Sequence, residues 1–388
     1  MIVGTVKETF PGERRVAITP HILPLLTKAG CEVLIESEAG LAAGFTDAAF
    51  TEKGAKIAGS RKEVFDSAEI LLQVRTLGAN TEHGRGDLEL MRQGQVIVGN
   101  SEPLTEFDAM RELASRGVTL FAMEMIPRIT RAQSMDVLSS MATIAGYKAV
   151  LLAADHLPKM FPMMMTAAGT VKPARVLIVG AGVAGLQAIA SSKRMGAQVQ
   201  AYDIRPEVKE QIESLGAKFV EMELDAGDAQ DAGGYAKAMG EEFYKRQREL
   251  MARVAAECDV VITTAAVPGR KAPILVTAEM VRGMQTGSVI VDLAAERGGN
   301  CELTQPGEIV SEGGVTILGP LNLAATVPYH ASQMYAKNLT TLVQLMVKEG
   351  KLELDLEDEV IRDTMVTHQG EITNARIQEA MGAATPAT

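Results

Sequence analysis

The feature of the sequence that most constrains its fold is a glycine-rich turn in the middle of the chain, residues 180–185, Gly-Ala-Gly-Val-Ala-Gly. The apolar run before it, 176–179, predicts a buried strand, and 186–190 after it predicts the first turns of a helix. Gly-x-Gly-x-x-Gly between a strand and a helix is typical of dinucleotide sites. There the first glycine permits the turn, the second lets backbone approach a pyrophosphate, and the third lets helix pack closely on strand. The N–H groups at the helix N-terminus face the phosphates.

An acidic residue at the expected spacing favours this interpretation over glycines that serve packing alone. A second predicted strand, 198–202, ends at Asp203, roughly 20 residues after Gly180, where such folds place the carboxylate that binds the adenosine ribose. Asp203 favours NAD(H), because a carboxylate repels the 2′-phosphate of NADP(H). Arg205 lies near enough to leave NADP(H) open as the alternative.

Composition and charge exclude several other classes of protein. The length of 388 residues suggests two or three domains, and the net charge of −11 argues against nucleic acid or an anionic membrane surface as a main partner. Three widely spaced cysteines indicate a reducing compartment, and five scattered histidines predict no metal site. We predict neither a signal peptide nor a transmembrane segment, since the apolar runs are broken by Gly or Pro.

Strands alternate with helical segments through both halves of the chain, which predicts an α/β protein with two Rossmann-like, doubly wound parallel-sheet domains. Only the second half carries the nucleotide fingerprint. The predicted strands are 2–6, 32–36, 70–74, 96–99 and 119–122 in the first half, and 176–179, 198–202, 260–263, 289–292 and 315–318 in the second.

The predicted domain boundaries follow from two helices. A nearly uncharged helix from about 139 is expected to bridge the domains, and an amphipathic helix over 327–349 is expected to return to the first. The N-terminal domain is therefore predicted to comprise 1–138 plus 327–388, without nucleotide, and the NAD(H)-binding domain 139–326. We also predict that Thr19 caps a helix starting at Pro20, that the methionines 163–165 fill gaps in the core, and that the tail after about 374 is disordered.

Two irregular segments are candidates for function. Residues 124–140 crowd two arginines, a glutamine, an aspartate and several serines after a predicted strand, and ligands bind at the carboxyl ends of strands in open sheets. A capping loop, with Ser134 or Asp136 as N-cap, is an equally open interpretation on spacing alone. Residues 225–240 are polar and rich in Gly and Ala, which predicts a mobile loop that is either a lid or an inert insertion.

Three stretches of the sequence closely resemble the NAD(H)-binding component of the proton-translocating NAD(P) transhydrogenases, in the alanine dehydrogenase/transhydrogenase superfamily. They are Pro-Arg-Ile-Thr-Arg-Ala-Gln-Ser-Met-Asp at 127–136, Phe-Pro-Met-Met-Met-Thr-Ala-Ala-Gly-Thr at 161–170 and Ala-Gly-Gly-Tyr-Ala-Lys at 232–237, and the likeness extends from Lys7 to Leu339. The resemblance implies a component that holds NADH and passes a hydride directly to NADP⁺ on a partner domain, coupled to proton translocation by a membrane domain. The residues that match the family's nucleotide contacts are Arg128, Ile129, Thr130, Arg131, Gln133, Ser134, Met135, Asp136, Ser139, Gly180, Gly182, Val183, Ala184, Gly185, Asp203, Ile204, Arg205, Gly234, Tyr235, Met239, Gln247 and Ala266.

The implied reaction explains why the sequence offers no general acid or base. Hydride transfer between two nicotinamides requires rings held at near-attack distance with water excluded, and no proton transfer to substrate. Gln133 and Asp136 are therefore expected to act at the reaction site by positioning. Gln133 can hold the nicotinamide carboxamide and ribose through its donor and acceptor groups, Asp136 can lock the loop, and Arg128 can orient Asp136.

The resemblance also implies the partners. NAD(H) is expected on this chain and NADP(H) on an NADP-binding transhydrogenase domain, with a membrane-spanning proton-channel subunit; both parts are expected on separate chains. This chain is expected to be a cytoplasmic homodimer, peripheral to the inner membrane through its partner subunits.

Two other classes of protein stay open as alternatives. A free-standing dehydrogenase of the alanine dehydrogenase type shares the fold and the Gly-Glu-Arg-Arg pattern at 12–15. In that family a lysine follows the strand matching 70–74 and a histidine follows the one matching 96–98, where this chain has Arg75 and Asn100; Arg15 is left as a candidate carboxylate binder. The third class is a non-enzymatic NAD-dependent regulatory module, since the chain alone contains one nucleotide site.

Overall fold

The computed structural model describes residues 1–221, 240–266 and 271–384. The chain divides into two compact units, one formed by Met1–Met141 with Ala324–Thr388 and the other by Ala142–Leu323. The first division falls inside the helix Val137–His156. The first unit is therefore discontinuous in sequence, and the second is inserted into it.

The first unit is built on an eight-stranded sheet in which six neighbouring strands run parallel. Successive side chains of a central strand enter two separate hydrophobic clusters, Ile70 and Leu72 in one and Leu71 in the other, because strand side chains alternate between the faces of a sheet. At one edge, two strands from the C-terminal segment pair antiparallel. In pairing order the strands are Glu371–Ile372, Met365–His368, Thr119–Ala122, Val96–Asn100, Ile70–Arg75, Ile2–Thr5, Glu32–Glu36 and Lys56–Ala58.

The longest helix wholly within the first unit, Pro328–Met346, buries Tyr335, Leu339 and Leu342 in the same cluster as Ile70. A short antiparallel pair, Val347–Lys348 with Lys351–Leu352, follows it. The other α-helices wholly within this unit are Leu23–Lys28, Asp47–Glu52, Arg61–Ser67, Arg85–Leu90, Phe107–Ser115, Glu359–Thr364 and Ala375–Ala384. Its 3-10 turns are Pro20–Ile22, Leu41–Ala43, Leu77–Ala79, Met123–Met125 and Thr130–Met135, and a further turn, Leu323–Thr326, lies at the unit boundary.

The second unit contains a seven-stranded sheet, parallel except for one antiparallel edge strand. Its central strand, Arg175–Val179, lies between the strands Gln198–Tyr202 and Val260–Thr263, which extend the sheet in opposite directions. Such a switch point is where ligands bind in open α/β sheets. In pairing order the strands are Lys218–Phe219, Gln198–Tyr202, Arg175–Val179, Val260–Thr263, Val289–Asp292, Val315–Leu318 and Ile309–Glu312. The helices are Val183–Arg194, Lys209–Ser214, Glu241–Ala256 and Ala278–Gly283, with 3-10 turns at Pro206–Val208 and Ala295–Arg297.

The predicted fold class is confirmed: each unit is a Rossmann-like, doubly wound sheet, and all ten predicted strands are present. Both sheets are mixed, since antiparallel strands extend one edge of each. The sequence analysis missed five sheet strands, which are short or lack strict apolar alternation: Lys56–Ala58, Lys218–Phe219, Ile309–Glu312, Met365–His368 and Glu371–Ile372.

The prediction that the methionine run fills the core is wrong. Met163 is 58% exposed, Met164 39% and Met165 80%. The reason is that Met164–Thr166 pairs only with Gly169–Val171, and every residue of this two-stranded hairpin is exposed.

Two predictions about chain ends and caps are also wrong. The tail after 374 forms the helix Ala375–Ala384 rather than a disordered segment over those residues. Asn374 caps this helix, because its Oδ1 accepts the N–H groups of Arg376 at 3.1 Å and Ile377 at 3.3 Å, and Ile377 is buried. Thr19 precedes a 3-10 turn and its side chain accepts no capping hydrogen bond.

One described helix, Val137–His156, is long and apolar enough by length and composition to cross a membrane. A third of its most apolar window is buried inside the protein, and core helices satisfy the same criterion. The prediction that no segment spans a membrane stays a prediction.

The stability of the first unit is expected to depend on the protonation of Glu8. Its carboxylate accepts the N–H groups of Val74 at 2.6 Å and Arg75 at 3.2 Å, and burial together with the nearby Glu13 raises its pKa from 4.5 to about 8. The native state therefore holds a proton that the unfolded state loses above pH 4.5. This stabilisation is complete below that pH and is lost as the pH rises through 8, by at most about 1.4 kcal/mol per pH unit.

Glu8→Gln is accordingly expected to flatten the fall in unfolding free energy between pH 5 and pH 8, measured by urea denaturation at each pH. Glu52→Gln, at an exposed glutamate of the same unit, should keep the wild-type slope. A Glu8→Gln slope equal to that of the wild type would contradict the assignment.

Candidate functional site

The glycine turn has the backbone geometry that its sequence requires. Gly180 has φ +98°, and a Cβ there would lie 2.7 Å from Thr264 Oγ1. A Cβ at Gly185 would lie 1.9 Å from the carbonyl oxygen of Gly180, so the helix Val183–Arg194 starts in direct contact with the turn. A Cβ at Gly182 would meet nothing within 4 Å. The turn therefore needs its first and third glycines for packing and leaves open space at the second.

Asp203 is oriented by four hydrogen bonds at the end of the neighbouring strand. Oδ2 accepts the N–H of Ala181 at 2.7 Å and Nη2 of Arg205 at 2.8 Å. Oδ1 accepts the backbone N–H and Nε of Arg205, each at 2.9 Å. The side chains of Asp203 and Arg205 are only 5% and 15% exposed, and the hydrogen bonds to Asp203 raise the pKa of Arg205. These bonds occupy the four lone-pair sites of the carboxylate.

The remaining described candidates of the second unit surround the turn or extend from neighbouring elements. Gln247 is buried on the helix Glu241–Ala256, and its Nε2 donates to the hydroxyl of Tyr202 at 2.9 Å. Burial raises the pKa of that hydroxyl to about 12, so it stays protonated at neutral pH. Val183 and Ala266 are exposed, and Ala184 and Ile204 are half-buried. Gly234, Tyr235 and Met239, with most of the predicted mobile loop 225–240, lie outside the described residues.

The candidate loop of the first unit lines a cavity of about 380 Å³. Of the predicted residues, the cavity brings together Arg128, Ile129, Gln133, Asp136 and Ser139; Pro127 and Ala132 complete the lining.

Asp136 is fixed as the cap of the helix that follows this loop. Its Oδ1 accepts the N–H of Ser139 at 2.9 Å and its Oδ2 accepts the Ser139 hydroxyl at 2.6 Å. The capping interpretation therefore holds for Asp136, and the same residue also faces the cavity. Ser134, the other candidate cap, instead receives a hydrogen bond at its carbonyl oxygen from Asn338 Nδ2 at 2.8 Å.

The other predicted residues of the loop do not line the cavity. Arg131 forms a bidentate ion pair with Asp358, with N–O distances of 2.6 and 2.9 Å. This pairing raises the pKa of Arg131 and lowers that of Asp358. Met135 is buried in the core, and Thr130 is exposed. The structure thus assigns Arg131 a structural partner far along the chain, which sequence spacing does not reveal.

Arg15, the candidate carboxylate binder, already has a carboxylate partner within the chain. Its Nε and Nη2 donate to Glu13 at 2.7 and 2.6 Å, and both side chains are buried. Arg75 Nε also donates to Glu13, at 3.2 Å. In the portion of the chain that the structure describes, no group of three or more His, Cys, Asp and Glu side chains is placed to hold a metal ion.

The sequence analysis missed a buried pair beside the glycine turn. Asp292 ends the strand Val289–Asp292, and Asn300 follows it in a loop that begins at the carboxyl edge of the sheet. The two consecutive glycines before Asn300 both have positive φ. A Gly-Gly-Asn sequence soon after an acidic strand end was the available signal.

The two sheets, with a glycine turn at the switch point of the second, define a doubly wound α/β protein of the dinucleotide-binding type. Comparison with protein families makes this specific. Residues 4–145 match the N-terminal domain and residues 149–375 the C-terminal domain of alanine dehydrogenase/PNT. The chain belongs to this family, on its transhydrogenase side.

Individual relatives support that placement. An NAD(P) transhydrogenase alpha subunit of Rhodospirillum rubrum is 47% identical over 377 residues, which cover 96% of this chain and 98% of that protein. The structure of transhydrogenase from Sinorhizobium meliloti has a TM-score of 0.86 at 43% identity, covering 96% of this chain and 100% of that one. An L-alanine dehydrogenase structure has a TM-score of 0.82 at 27% identity, covering 99% and 100%. The predicted resemblance is confirmed, and alanine dehydrogenase is a distant relative.

The two inner glycines of the turn are expected to respond differently to the same substitution. Gly185→Ala should destabilise the protein by about 3 kcal/mol, because the new methyl group overlaps a backbone carbonyl that cannot rotate away. Gly182→Ala should change stability by less than about 0.5 kcal/mol, because the space is open and φ is −74°. Denaturant unfolding of both variants checks this, and equal losses would contradict it.

Proposed function

We propose that this chain is the NAD(H)-binding component of a proton-translocating NAD(P) transhydrogenase, in which a hydride passes from NADH on this chain to NADP⁺ on a partner domain. The observation that carries the proposal is the glycine turn with Asp203 at the switch point, in a chain matched over almost its whole length by transhydrogenase alpha subunits. In this proposal residues 139–326 form the NAD(H)-binding domain, and 1–138 with 327–388 form the domain without nucleotide.

The described residues fit a dinucleotide. The open space at Gly182 admits a pyrophosphate against the backbone, and the N–H groups at the start of the helix Val183–Arg194 supply donors for it. Asp203 stands where the ribose hydroxyls would be bound, and Val183, Ala184, Ile204, Gln247 and Ala266 are proposed as further contacts by family resemblance.

The chain's own contribution to the reaction is positioning. Bound NADH supplies the hydride. Gln133 has both a donor and an acceptor in its amide and lines the cavity, so it can hold the carboxamide in one orientation. Asp136, held by Ser139, gives the loop a fixed anchor, and Arg128 supplies a positive charge at the same cavity. None of these roles requires a proton to be transferred.

The preference for NAD(H) over NADP(H) is proposed to rest on the Asp203–Arg205 pair. All four lone-pair sites of the carboxylate are filled, and the Arg205 guanidinium is the donor that can rotate away without moving the backbone. Ribose hydroxyls can replace it at the carboxylate, whereas a 2′-phosphate is repelled there.

The proposed partners are an NADP(H)-binding transhydrogenase domain and a membrane-spanning proton-channel subunit, through which this cytoplasmic chain is held at the membrane. A homodimer is proposed as well. The exposed methionines of the hairpin Met164–Thr166 with Gly169–Val171 support it, because exposed apolar clusters mark interaction surfaces.

Alanine dehydrogenase activity is the weaker candidate. It needs a cation free to bind the substrate carboxylate and a proton donor for the imine. Arg15 is instead bound bidentately by the buried Glu13, and arginine stands at position 75, where that family carries lysine.

Mixing the full chain with a purified NADP-binding transhydrogenase domain, NADPH and an oxidised NAD analogue is expected to give hydride exchange. Gln133→Ala should slow the exchange on the order of 100-fold, because a loosened ring leaves the near-attack geometry. Thr130→Ala is the matched control, since Thr130 is exposed in the same loop and does not line the cavity. No exchange in a competent mixture would refute the proposal, and turnover of alanine with NAD⁺ by the chain alone would support the weaker candidate.

The cofactor preference gives a separate prediction. The wild type should bind NADH more tightly than NADPH, and Asp203→Asn should weaken NADH binding about tenfold without weakening NADPH binding, because the charge that repels the 2′-phosphate is removed. Fluorescence titration of both nucleotides measures this. Asp259→Asn is the control, because Asp259 accepts the N–H of Arg175 and pairs with Lys159 at the opposite end of the central strand. Equal wild-type affinities would remove the support.

A further inference from the structure

Asn300 clamps one residue of a neighbouring loop through both of its backbone polar groups. Its side chain is fully buried in the second unit. Nδ2 donates to the carbonyl oxygens of Ala265 and Pro273, each at 2.8 Å, and Oδ1 accepts the N–H of Ala265 at 3.0 Å. Both amide donors and the acceptor are thus in use. One side chain therefore fixes the backbone of Ala265.

The segment that Asn300 holds lies directly against the glycine turn. The N–H of Thr264 donates to the carbonyl of Val179 at 2.9 Å, and Thr264 Oγ1 donates to the carbonyl of Gly180 at 3.0 Å. A Cβ at Gly180 would also lie 3.3 Å from the nitrogen of Ala265. Residues 264–265 thus form one wall of the turn, and in a close-packed interior a displaced wall shifts its neighbour.

Asn300 is in turn held in place by a buried carboxylate. Asp292 is fully buried, and its Oδ2 accepts the N–H groups of Asn300 at 2.7 Å and Cys301 at 2.9 Å. Its Oδ1 accepts the hydroxyl of Thr263 at 2.9 Å. Gly299 has φ +81°, and a Cβ there would lie 2.8 Å from Asp292 Oδ2. The glycine therefore lets the loop close onto the carboxylate, and the amide of Asn300 is presented in one orientation.

From these contacts we propose that Asn300 is a positioning residue for the nucleotide. It fixes Ala265, and through Ala265 the Gly180 turn and the adjoining Ala266. The inference rests on the proposed function, because it takes the glycine turn to be the NAD(H) site. Since Asn300 acts through the wall of the turn, its loss weakens NADH binding and leaves the rate of hydride transfer at saturating NADH unchanged.

The test compares two amide-to-acid substitutions of the same shape. Asn300→Asp removes both donors and turns an oxygen towards two carbonyl groups. Gln95→Glu does the same in the first unit, where the buried Gln95 donates from Nε2 to the carbonyls of Phe65 at 2.9 Å and Ala68 at 2.8 Å and accepts the N–H of Arg92 at 3.1 Å. The control thus reproduces the chemical change at a distance in sequence from the glycine turn.

Fluorescence titration of the full chain with NADH is expected to show a Kd at least tenfold higher for Asn300→Asp and a change below twofold for Gln95→Glu, even where thermal unfolding shifts equally. Asn300→Ser is expected to be intermediate, and it serves if Asn300→Asp does not fold. With the NADP-binding partner domain, KM for NADH should rise while kcat stays unchanged.

Two outcomes are separable. A wild-type Kd in the folded Asn300 variants, or a fall in kcat without a rise in KM, would overturn the role of Asn300. No NADH binding by the wild-type chain would instead overturn the proposed function.

Discussion

The second unit depends on backbone contacting backbone where its central strand becomes a helix. Gly185 lies so close to the carbonyl of Gly180 that a Cβ would be 1.9 Å from the oxygen. A similar approach occurs beside it, where a Cβ on Gly146 would lie 2.1 Å from the carbonyl oxygen of Ala184. Side chains can repack, but two backbones in contact cannot. The N-terminus of the helix Val183–Arg194 is therefore aimed by the chain itself, and its N–H groups hold one direction.

The charged groups around both candidate regions are paired within the chain. Asp203 is neutralised by Arg205 near the turn, Arg131 by Asp358 beside the cavity loop, and Arg15 by Glu13 in the core of the first unit. The pairs differ in what they permit. Arg205 can leave its carboxylate by side-chain rotation, so a ligand can exchange with it. The buried Arg15 pair has no comparable route to solvent, which separates this chain from a carboxylate-binding enzyme of the same fold.

Local sequence predicted what local physics decides. The ten principal strands are β-branched apolar runs, and the glycine turn shows its conformation in its spacing. Contacts between distant residues were not predictable: Arg131 meets Asp358, and Asn300 clamps Ala265, because tertiary folding brings them together. The exposed methionines were misassigned for the same reason, since composition cannot show that a hairpin lacks a covering element. The candidate site was thus legible in its glycines and Asp203, and hidden in the residues that hold them.

The discontinuity of the first unit fixes the order in which the protein can be completed during synthesis. All residues of the second unit, Ala142–Leu323, have left the ribosome before the first unit receives its final segment. Until then the strand Thr119–Ala122 is an open sheet edge, because its antiparallel neighbour Met365–His368 has not been made. Domains fold as units while the chain emerges. The unit that begins first is therefore the one that finishes last, and the nascent chain carries an unpaired strand throughout the synthesis of its inserted neighbour.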